Sequence, residues 1–271
     1  MTQPAVSKTI ADLERILDAA LFDRSRRALV LTGSGELFMR YAQAGLATLQ
    51  QGLDTLESAG KGANMVALGA LPTVAAGVIP RALEGFSRHS LACRTLVESG
   101  PSPYLLNLLR TAAIDFVIGR LASPNAMQGL SFEHLYSEDL ALVVRPAHPL
   151  LARDGVTLQD VAEHQLLMPP PGAIIRPAVD ALLIAGGVGR LHAPIETVSN
   201  SLGRSYTLFT DAVWVISESV VITDIATGQL VKLPLDMQAT TGPIGITTRS
   251  GMDLSPPARA LLDCVRDAVG P

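Results

Sequence analysis

The sequence contains few cysteines, few aromatic residues and no long apolar run. Cys93 and Cys264 are the only cysteines in 271 residues, which excludes a disulfide-rich scaffold and favours two buried thiols in a reducing compartment. The most apolar stretch, residues 65–80, is interrupted by Pro72 and Thr73 and is too short to span a bilayer. No basic segment followed by an apolar core opens the chain. We therefore expect a soluble, cytoplasmic protein that does not contact a membrane.

Motifs of the common enzyme classes are missing as well. The sequence has no G-x-S-x-G elbow, no P-loop, no G-x-G-x-x-G turn after a strand and no H-E-x-x-H zinc motif. The five histidines are scattered, and none has a metal-binding partner at helical spacing. The sequence thus predicts no catalytic residue, no metal and no cofactor.

Charged residues are sparse and unevenly distributed. They make up 17% of the chain, and the net charge is −4. The first 41 residues carry a net charge of +1, whereas the remainder carries −5. A weakly basic N-terminal segment on an acidic body is compatible with local contact to DNA, although charge alone does not establish it.

The N-terminal segment, residues 1–17, has the spacing of an amphipathic helix. Thr2 can cap this helix, and Pro4 is tolerated in its first turn. The other residues of its first turns are small, polar or basic, as in a helix end that contacts a partner. The aliphatic stripe needs a second apolar surface to cover it, and it consists of Val6, Ile10, Leu13 and Leu17.

Residues 21–56 predict a hairpin followed by a long helix. Apolar pairs flank a basic cluster, as in a short hairpin with a basic tip formed by Arg24, Arg26 and Arg27. Thr32 can cap the helix over residues 33–56. A heptad seam on this helix favours dimerisation over packing on its own domain, and it consists of Leu46, Leu49, Leu53 and Leu56. The small, polar stretch 58–64 predicts a linker.

From Met65 onward, short apolar runs alternate with helical stretches. This alternation is typical of βαβ units on a parallel sheet, and it occurs twice in succession, which predicts two lobes. A last strand at 242–248 and a last helix at 256–269 would return to the first lobe. Ligands of such folds bind outside the carboxyl ends of the strands, which here means between the lobes.

Several segments together resemble the LysR-type transcriptional regulators. The opening Thr-Gln-Pro-Ala, followed by Ser and Lys, resembles the recognition helix of that family's winged helix-turn-helix. Residues 21–36 resemble its wing and the start of the next helix. A narrower resemblance, to the PcaQ-type regulators of protocatechuate (pca operon) catabolism, is carried by residues 70–80, 168–179, 195–206 and 211–218.

The resemblance implies an α/β fold in three parts: a truncated winged helix-turn-helix, a long linker helix and a two-lobed, periplasmic-binding-protein-like effector domain. The family places further helices before the recognition helix. We therefore expect that the chain lacks the N-terminal part of the winged helix-turn-helix, through a misassigned start or a shortened chain, and that it binds DNA weakly or not at all. The expected parts are residues 1–32, the dimerisation helix 33–60 and the effector domain 61–271, with lobe 1 at 61–142 and 238–271 and lobe 2 at 143–237.

By the same resemblance, the N-terminal end of the first helix would enter the major groove of DNA. Gln3 suits an adenine edge, Ala5 a thymine methyl group, and Lys8 a phosphate or base acceptor. The wing would reach phosphates or a narrow minor groove, although a solvated turn is the alternative for its arginines. The predicted DNA-contacting residues are Thr2, Gln3, Pro4, Ala5, Ser7, Lys8, Arg24, Arg26 and Arg27.

The resemblance also implies a small inducer in the interlobe cleft, held by strand-to-helix turns. Backbone N–H groups and hydroxyls at such turns favour anions, although Ser and Thr before helices also serve as plain N-caps. Arg176 could pair with a carboxylate, with a surface salt bridge as the alternative. The predicted effector-binding residues are Leu71, Pro72, Thr73, Val74, Gly100, Pro101, Ser102, Gly172, Ala173, Ile174, Arg176, Ser199, Asn200 and Ser201.

The sequence therefore predicts a LysR-type regulator that binds promoter DNA as a homodimer or homotetramer and senses a small carboxylate. The narrower resemblance implies an intermediate of the protocatechuate pathway, such as β-ketoadipate or a carboxymuconate. RNA polymerase is a further candidate partner. Two alternatives stay open, a two-lobed solute-binding protein without DNA function and an α/β metabolic enzyme.

Overall fold

A computed structural model describes most of the chain. Its contacts separate a head unit, residues 1–61 with 110–112, from a body unit, residues 62–109 with 113–271. Four predicted DNA-contacting residues and the last leucine of the heptad seam lie outside the described part, namely Thr2, Arg24, Arg26, Arg27 and Leu56. The described residues are 3–23, 29–39, 41–42, 45–46, 49, 53, 64–89, 93–191 and 193–269.

The described head unit consists of two helical segments and a short hairpin. Helix α1 spans Gln3–Leu17, and strands β1 (Phe22–Asp23) and β2 (Val30–Leu31) pair antiparallel, which confirms the predicted hairpin. The described helical residues after Thr32 are together called α2, and they are 33–39, 41–42, 45–46, 49 and 53. No described residue of α1 is buried; within the aliphatic stripe, Val6 and Leu17 are exposed, whereas Ile10 and Leu13 are partly covered.

Side chains fix the turns between these elements. The Glu14 carboxylate accepts the backbone N–H groups of Leu21 and Phe22 at 2.8 and 3.1 Å, which ties the end of α1 to β1. The Thr32 hydroxyl accepts the N–H of Gly35 at 3.0 Å, so Thr32 caps α2 as its position predicts. A Cβ atom at Gly35 would lie 2.0 Å from the Leu21 carbonyl oxygen, and only glycine allows this approach.

The body unit contains two lobes, each built on a five-stranded sheet. Lobe 1 comprises β3 (Asn64–Ala70), α3 (Pro72–Ala75), α4 (Val78–Ser87), β4 (Cys93–Ser99), α5 (Ser102–Arg110), β5 (Phe116–Arg120), β6 (Leu130–Glu138), β12 (Gly242–Arg249) and α10 (Pro256–Val269). Lobe 2 comprises β7 (Leu140–Val144), α6 (Leu158–Ala162), β8 (Leu166–Met168), α7 (Arg176–Ala185), β9 (Ile195–Glu196), α8 (Asn200–Phe209), β10 (Val213–Ser217), α9 (Glu218–Ala226) and β11 (Val231–Lys232).

Both sheets are mixed, which corrects the expectation of parallel sheets. The strand order is β4-β3-β5-β12-β6 in lobe 1 and β11-β7-β10-β8-β9 in lobe 2. Strands β3, β4 and β5 are parallel, but β12 runs antiparallel to both β5 and β6. In lobe 2, β8, β9 and β10 are parallel, whereas β7 is antiparallel to β10 and β11. The strands that carry the chain between the lobes are the antiparallel ones.

Apolar side chains cover the faces of the sheets. In β7 the residues alternate between two separate clusters, with Leu140, Leu142 and Val144 on one face and Ala141 and Val143 on the other. A strand buried on both faces shows a continuous apolar run, which explains the sequence LALVV. In lobe 1, α4 and α10 direct their apolar faces onto the same core.

The chain crosses between the lobes twice. The first crossing lies at Asp139, between β6 and β7, and the predicted boundary at residue 142 falls three residues later, within strand β7. The second crossing lies between β11 and β12. The Thr240 hydroxyl accepts the N–H of Leu140 at 2.9 Å and thereby joins the two crossing segments.

Candidate effector cavity and DNA-contacting helix

A cavity lies between the two lobes. It is bounded by residues that follow β3, β4, β8 and β9 and by the end of β10, as expected for a ligand site at the carboxyl ends of strands. Its lining consists of Leu71, Pro72, Thr73, Pro101, Ser102, Pro169, Ala173, Ile174, Ile175, Thr197, Val198, Asn200, Val215 and Ile216.

The lining is apolar except for four residues. Thr73 and Ser102 belong to lobe 1, whereas Thr197 and Asn200 belong to lobe 2. Among the described residues that line the cavity, none carries a charge. An apolar wall with a few convergent hydroxyl and amide groups suits a small organic ligand with polar atoms directed to both lobes.

Helices α5 and α8 each begin with a residue that lines the cavity. Helix α5 begins at Ser102, which is 9% exposed, and α8 begins at Asn200. The Ser199 hydroxyl accepts the N–H of Leu202 at 3.3 Å, so Ser199 is the N-cap of α8 and does not line the cavity. The positive ends of the two helix dipoles favour an anionic group.

Two side chains of lobe 2 donate hydrogen bonds to backbone carbonyls of lobe 1. Asn200 Nδ2 lies 2.8 Å from the carbonyl oxygen of Pro72, and Ser219 Oγ lies 3.2 Å from that of Thr73. The Thr73 hydroxyl itself is buried and has no hydrogen-bond partner in the described protein. These bonds hold the two walls of the cavity together.

Arg176 is oriented by acidic residues rather than directed into the cavity. Its Nε donates to Asp180 at 2.7 Å, and its Nη1 donates to Glu196 at 2.7 Å and to the Pro169 carbonyl at 3.0 Å. The hydrogen bonds that Arg176 donates to Glu196 and Asp180 raise the pKa of its guanidinium. Arg176 does not line the cavity, and the salt-bridge alternative describes its geometry.

The structure brings together eight of the predicted effector-binding residues, namely Leu71, Pro72, Thr73, Pro101, Ser102, Ala173, Ile174 and Asn200. It leaves outside the lining Val74, Gly100, Gly172, Arg176, Ser199 and Ser201. Val74 is fully buried in the core of lobe 1, which explains its absence. Gly172 has a φ of +87°, so it serves the turn rather than the cavity wall.

Sequence reasoning missed six lining residues, namely Pro169, Ile175, Thr197, Val198, Val215 and Ile216. Val215 and Ile216 lie in a fully buried strand, whose sequence resembles that of any core strand. Thr197 and Val198 follow β9, so the rule that ligands meet the carboxyl ends of strands could have identified them.

The exposed end of α1 is the candidate DNA-contacting surface. All five of its predicted residues within the described part are exposed, namely Gln3, Pro4, Ala5, Ser7 and Lys8. Helix α1 is 15 residues long and has no acidic residue in its first turn. The wing arginines lie outside the described residues, and so their contacts stay a prediction.

Comparison with known families accounts for both parts of the chain. Residues 59–270 match the LysR substrate binding domain, and residues 1–36 match the bacterial regulatory helix-turn-helix protein, lysR family. The chain belongs to the LysR family of transcriptional regulators. The helix-turn-helix match is a feature that the solute-binding alternative does not explain, and DNA-binding transcription regulation is the activity of this family.

Individual relatives of this LysR-family chain match it over nearly its whole length. It is 40% identical over 271 residues to the HTH-type transcriptional regulator PcaQ of Agrobacterium fabrum, which covers 100% of this chain and 87% of that protein. It is 36% identical over 270 residues to the uncharacterized HTH-type transcriptional regulator YdcI of Escherichia coli, covering 99% and 88%. A full-length OxyR variant from Pseudomonas aeruginosa has the same fold, with 24% identity, 100% and 91% coverage and a TM-score of 0.62.

Within the described ranges, no three His, Cys, Asp or Glu side chains come together as a metal ion would require. No helix of the described part has the length and apolar character of a membrane-spanning segment.

Proposed function

We propose that this LysR-family regulator binds a small carboxylate in its interlobe cavity and changes how it binds promoter DNA in response. The carboxylate is an intermediate of the protocatechuate pathway, such as β-ketoadipate or a carboxymuconate. The regulator acts in the cytoplasm as a homodimer or homotetramer, with RNA polymerase as a further partner. Ligand binding alters the angle between the lobes and hence the presentation of the recognition helices.

One observation carries the ligand-sensing part of this proposal. The cavity places hydroxyl or amide groups of both lobes, together with the starts of α5 and α8, around one apolar space. A linear acid with a carboxylate at one end and an oxygen at the other can bond to both lobes at once. The resemblance to PcaQ-type regulators supports an acid of aromatic catabolism as the ligand.

The DNA-binding part is supported by the helix-turn-helix match and by the exposed start of α1. Gln3, Ala5 and Lys8 offer an amide, a methyl group and a cation, which are the groups that read base edges and phosphates in a major groove. Because regulators of this kind are dimers with two-fold symmetry, we expect two related half-sites in the operator.

Titration of the purified chain with β-ketoadipate and β-carboxy-cis,cis-muconate tests the ligand class. We expect a rise in the thermal unfolding midpoint and saturable heat in calorimetry. Ser102→Ala should weaken the affinity by about twofold to tenfold, because it removes one hydrogen bond at the start of α5. Ser131→Ala, a serine outside the cavity lining, is the matched control. Failure of every acid to bind would contradict the proposed ligand class.

Duplexes selected from random DNA test the DNA-binding surface. Lys8→Ala should weaken binding and lower the slope of log affinity against log salt by about 1, because one phosphate contact is lost. Arg190→Ala, an exposed arginine of lobe 2, is the charge-matched control. An unchanged salt slope in Lys8→Ala would count against α1 as the DNA-contacting helix.

A further inference from the structure

Helix α3 is a single turn, and the backbone carbonyls of this turn and of its N-cap, Leu71, accept hydrogen bonds from both lobes. The carbonyl oxygens of Leu71 and Val74 accept backbone N–H groups of lobe 1. Those of Pro72 and Thr73 accept side-chain donors of lobe 2, from Asn200 and Ser219. Because a helix leaves its last four carbonyls without intrahelical partners, a four-residue helix is well suited to accept donors from elsewhere.

The same turn carries a hydroxyl that the protein leaves unsatisfied. Thr73 Oγ1 is buried without a hydrogen-bond partner in the described protein, and Thr73 lines the cavity. A buried hydroxyl without a partner is costly, so a cavity ligand that supplies an oxygen to Thr73 gains a favourable bond. Thr73 thus has its carbonyl fixed by lobe 2, while its hydroxyl is enclosed beside the cavity without a partner in the described protein.

We propose that Ser219 and Asn200 are positioning residues that hold the Pro72–Thr73 turn in place, so that closure of the lobes and recognition of the effector depend on the same turn. Ser219 does not line the cavity and acts through Thr73, whose hydroxyl recognises an oxygen of the ligand. A ligand that binds Thr73 from the cavity favours the closed lobes, and closure in turn fixes Thr73 for binding. This inference rests on the proposed function for its ligand, but the positioning role does not need one.

Hydrogen exchange of the full chain without any ligand tests the positioning role. In Ser219→Ala and in Asn200→Ala, amides of the peptide over residues 71–78 should exchange about twofold to tenfold faster, because each variant loses one bond across the lobes. Ser219→Thr keeps the hydroxyl and should restore slow exchange. Ser201→Ala is the matched control, since Ser201 lies exposed in the first turn of α8 and does not bond to α3.

The exchange pattern separates a positioning role from a merely structural one. A serine that only stabilises α9 would, on removal, raise exchange in α9 and β10 while leaving residues 71–78 unchanged. That pattern, or equal exchange in Ser219→Ala and Ser201→Ala, would overturn the proposal. Faster exchange at 71–78 that Ser219→Thr restores supports it.

Calorimetry with β-ketoadipate tests recognition by Thr73. Thr73→Val, which is nearly isosteric, should weaken the affinity by about twofold to tenfold, while Thr73→Ser should retain it. Ser219→Ala should weaken it as well, although Ser219 is outside the lining. Equal affinities for Thr73→Val and the unchanged chain would overturn recognition by Thr73.

If neither β-ketoadipate nor the carboxymuconate binds, the proposed ligand class is wrong and recognition by Thr73 is overturned with it. The hydrogen-exchange experiment needs no ligand and still decides the positioning role of Ser219 and Asn200.

Discussion

At the scale of single residues, Arg176 lies near the cavity but forms ion pairs within lobe 2 and does not line the cavity. Its side chain is 20% exposed and bridges Asp180, one turn further along α7, to Glu196 of β9. The sequence places an arginine just after the PPPG turn, but it does not reveal that two carboxylates converge on the same guanidinium. Asp180 is four positions from Arg176 in the sequence, whereas Glu196 is twenty positions away.

We predict that Arg176→Ala leaves the affinity for β-ketoadipate within about twofold of the unchanged chain, because Arg176 is outside the lining. The variant should lose up to about 1 kcal/mol of unfolding free energy, since its ion pairs are partly exposed. Calorimetry and urea unfolding measure the two effects. A tenfold loss of affinity without a change in stability would show that Arg176 takes part in ligand binding.

His148 is a buried histidine with both ring nitrogens in use. Nδ1 accepts the N–H of Leu150 at 3.1 Å, and Nε2 lies 3.1 Å from the Asp211 carbonyl oxygen, so the ring is held neutral with its proton on Nε2. Burial lowers the pKa of His148, and the ring of His164, 4.7 Å away, and Arg145 act in the same direction, while Asp211 opposes them.

This arrangement predicts a loss of stability in acid. Since the pKa of His148 is lower in the folded state, the unfolded chain binds more protons, and the unfolding free energy falls as pH drops below about 6.5. Urea unfolding at pH 7.5 and at pH 5 should show a smaller pH-dependent loss in His148→Gln than in the unchanged chain. His134→Gln, at an exposed histidine, should keep the full loss. Equal losses in all three proteins would contradict this assignment.

At the scale of elements, Gly203 sets the distance between α8 and the sheet of lobe 2. A Cβ atom at this position would lie 2.4 Å from the ring of Trp214 in β10, closer than packed atoms can approach. Trp214 is 3% exposed, so its ring cannot move away into solvent. Because α8 also carries Asn200 at its start, this contact fixes the helix that reaches across to lobe 1.

We predict that Gly203→Ala destabilises the chain by about 1–3 kcal/mol, because overpacking must displace α8 from β10. Gly85→Ala is the matched control, since Gly85 is also helical and a Cβ atom there would make an ordinary contact at 3.8 Å with Cys264. That control should gain about 0.5–1 kcal/mol from its higher helix propensity. Denaturant unfolding monitored by Trp214 fluorescence measures both, and a stable Gly203→Ala protein would contradict the assignment.

Most elements of the body unit follow from the sequence pattern. The last helix, α10, has the predicted bounds 256–269, because an amphipathic helix leaves a clear periodicity. Strand β6 was missed. It lies at the edge of its sheet and is half-exposed or exposed along most of its length, so no continuous apolar run marks it.

At the scale of the whole molecule, the leucines of α2 are exposed in a single chain. Leu46, Leu49 and Leu53 are 67%, 68% and 56% exposed, which is unusual for residues at heptad spacing. An exposed leucine seam that faces the same seam of a second copy buries these side chains. The proposed dimer would therefore be held together by α2.

We predict that Leu49→Glu combined with Leu53→Glu weakens dimerisation by at least about a hundredfold, because each leucine forfeits about 1.5–3 kcal/mol of burial and each glutamate would be desolvated. Sedimentation analysis over a concentration series measures the shift to monomer. Leu121→Glu, a half-exposed leucine of lobe 1, is the control of matched chemistry. Dimers of unchanged affinity in the double variant would exclude α2 as the main interface.

The sequence by itself determined the family, the three kinds of segment and most helices and strands, because periodicity, capping and the recognition-helix motif are local properties of the chain. Only the tertiary structure decided which turns meet. The cavity combines residues from Leu71 to Ile216, and Arg176 is withdrawn from it by Asp180 and Glu196. Hydrogen bonds from Asn200 and Ser219 to α3 depend on the packing of two separate sheets, and no local pattern encodes a contact between residues more than a hundred positions apart.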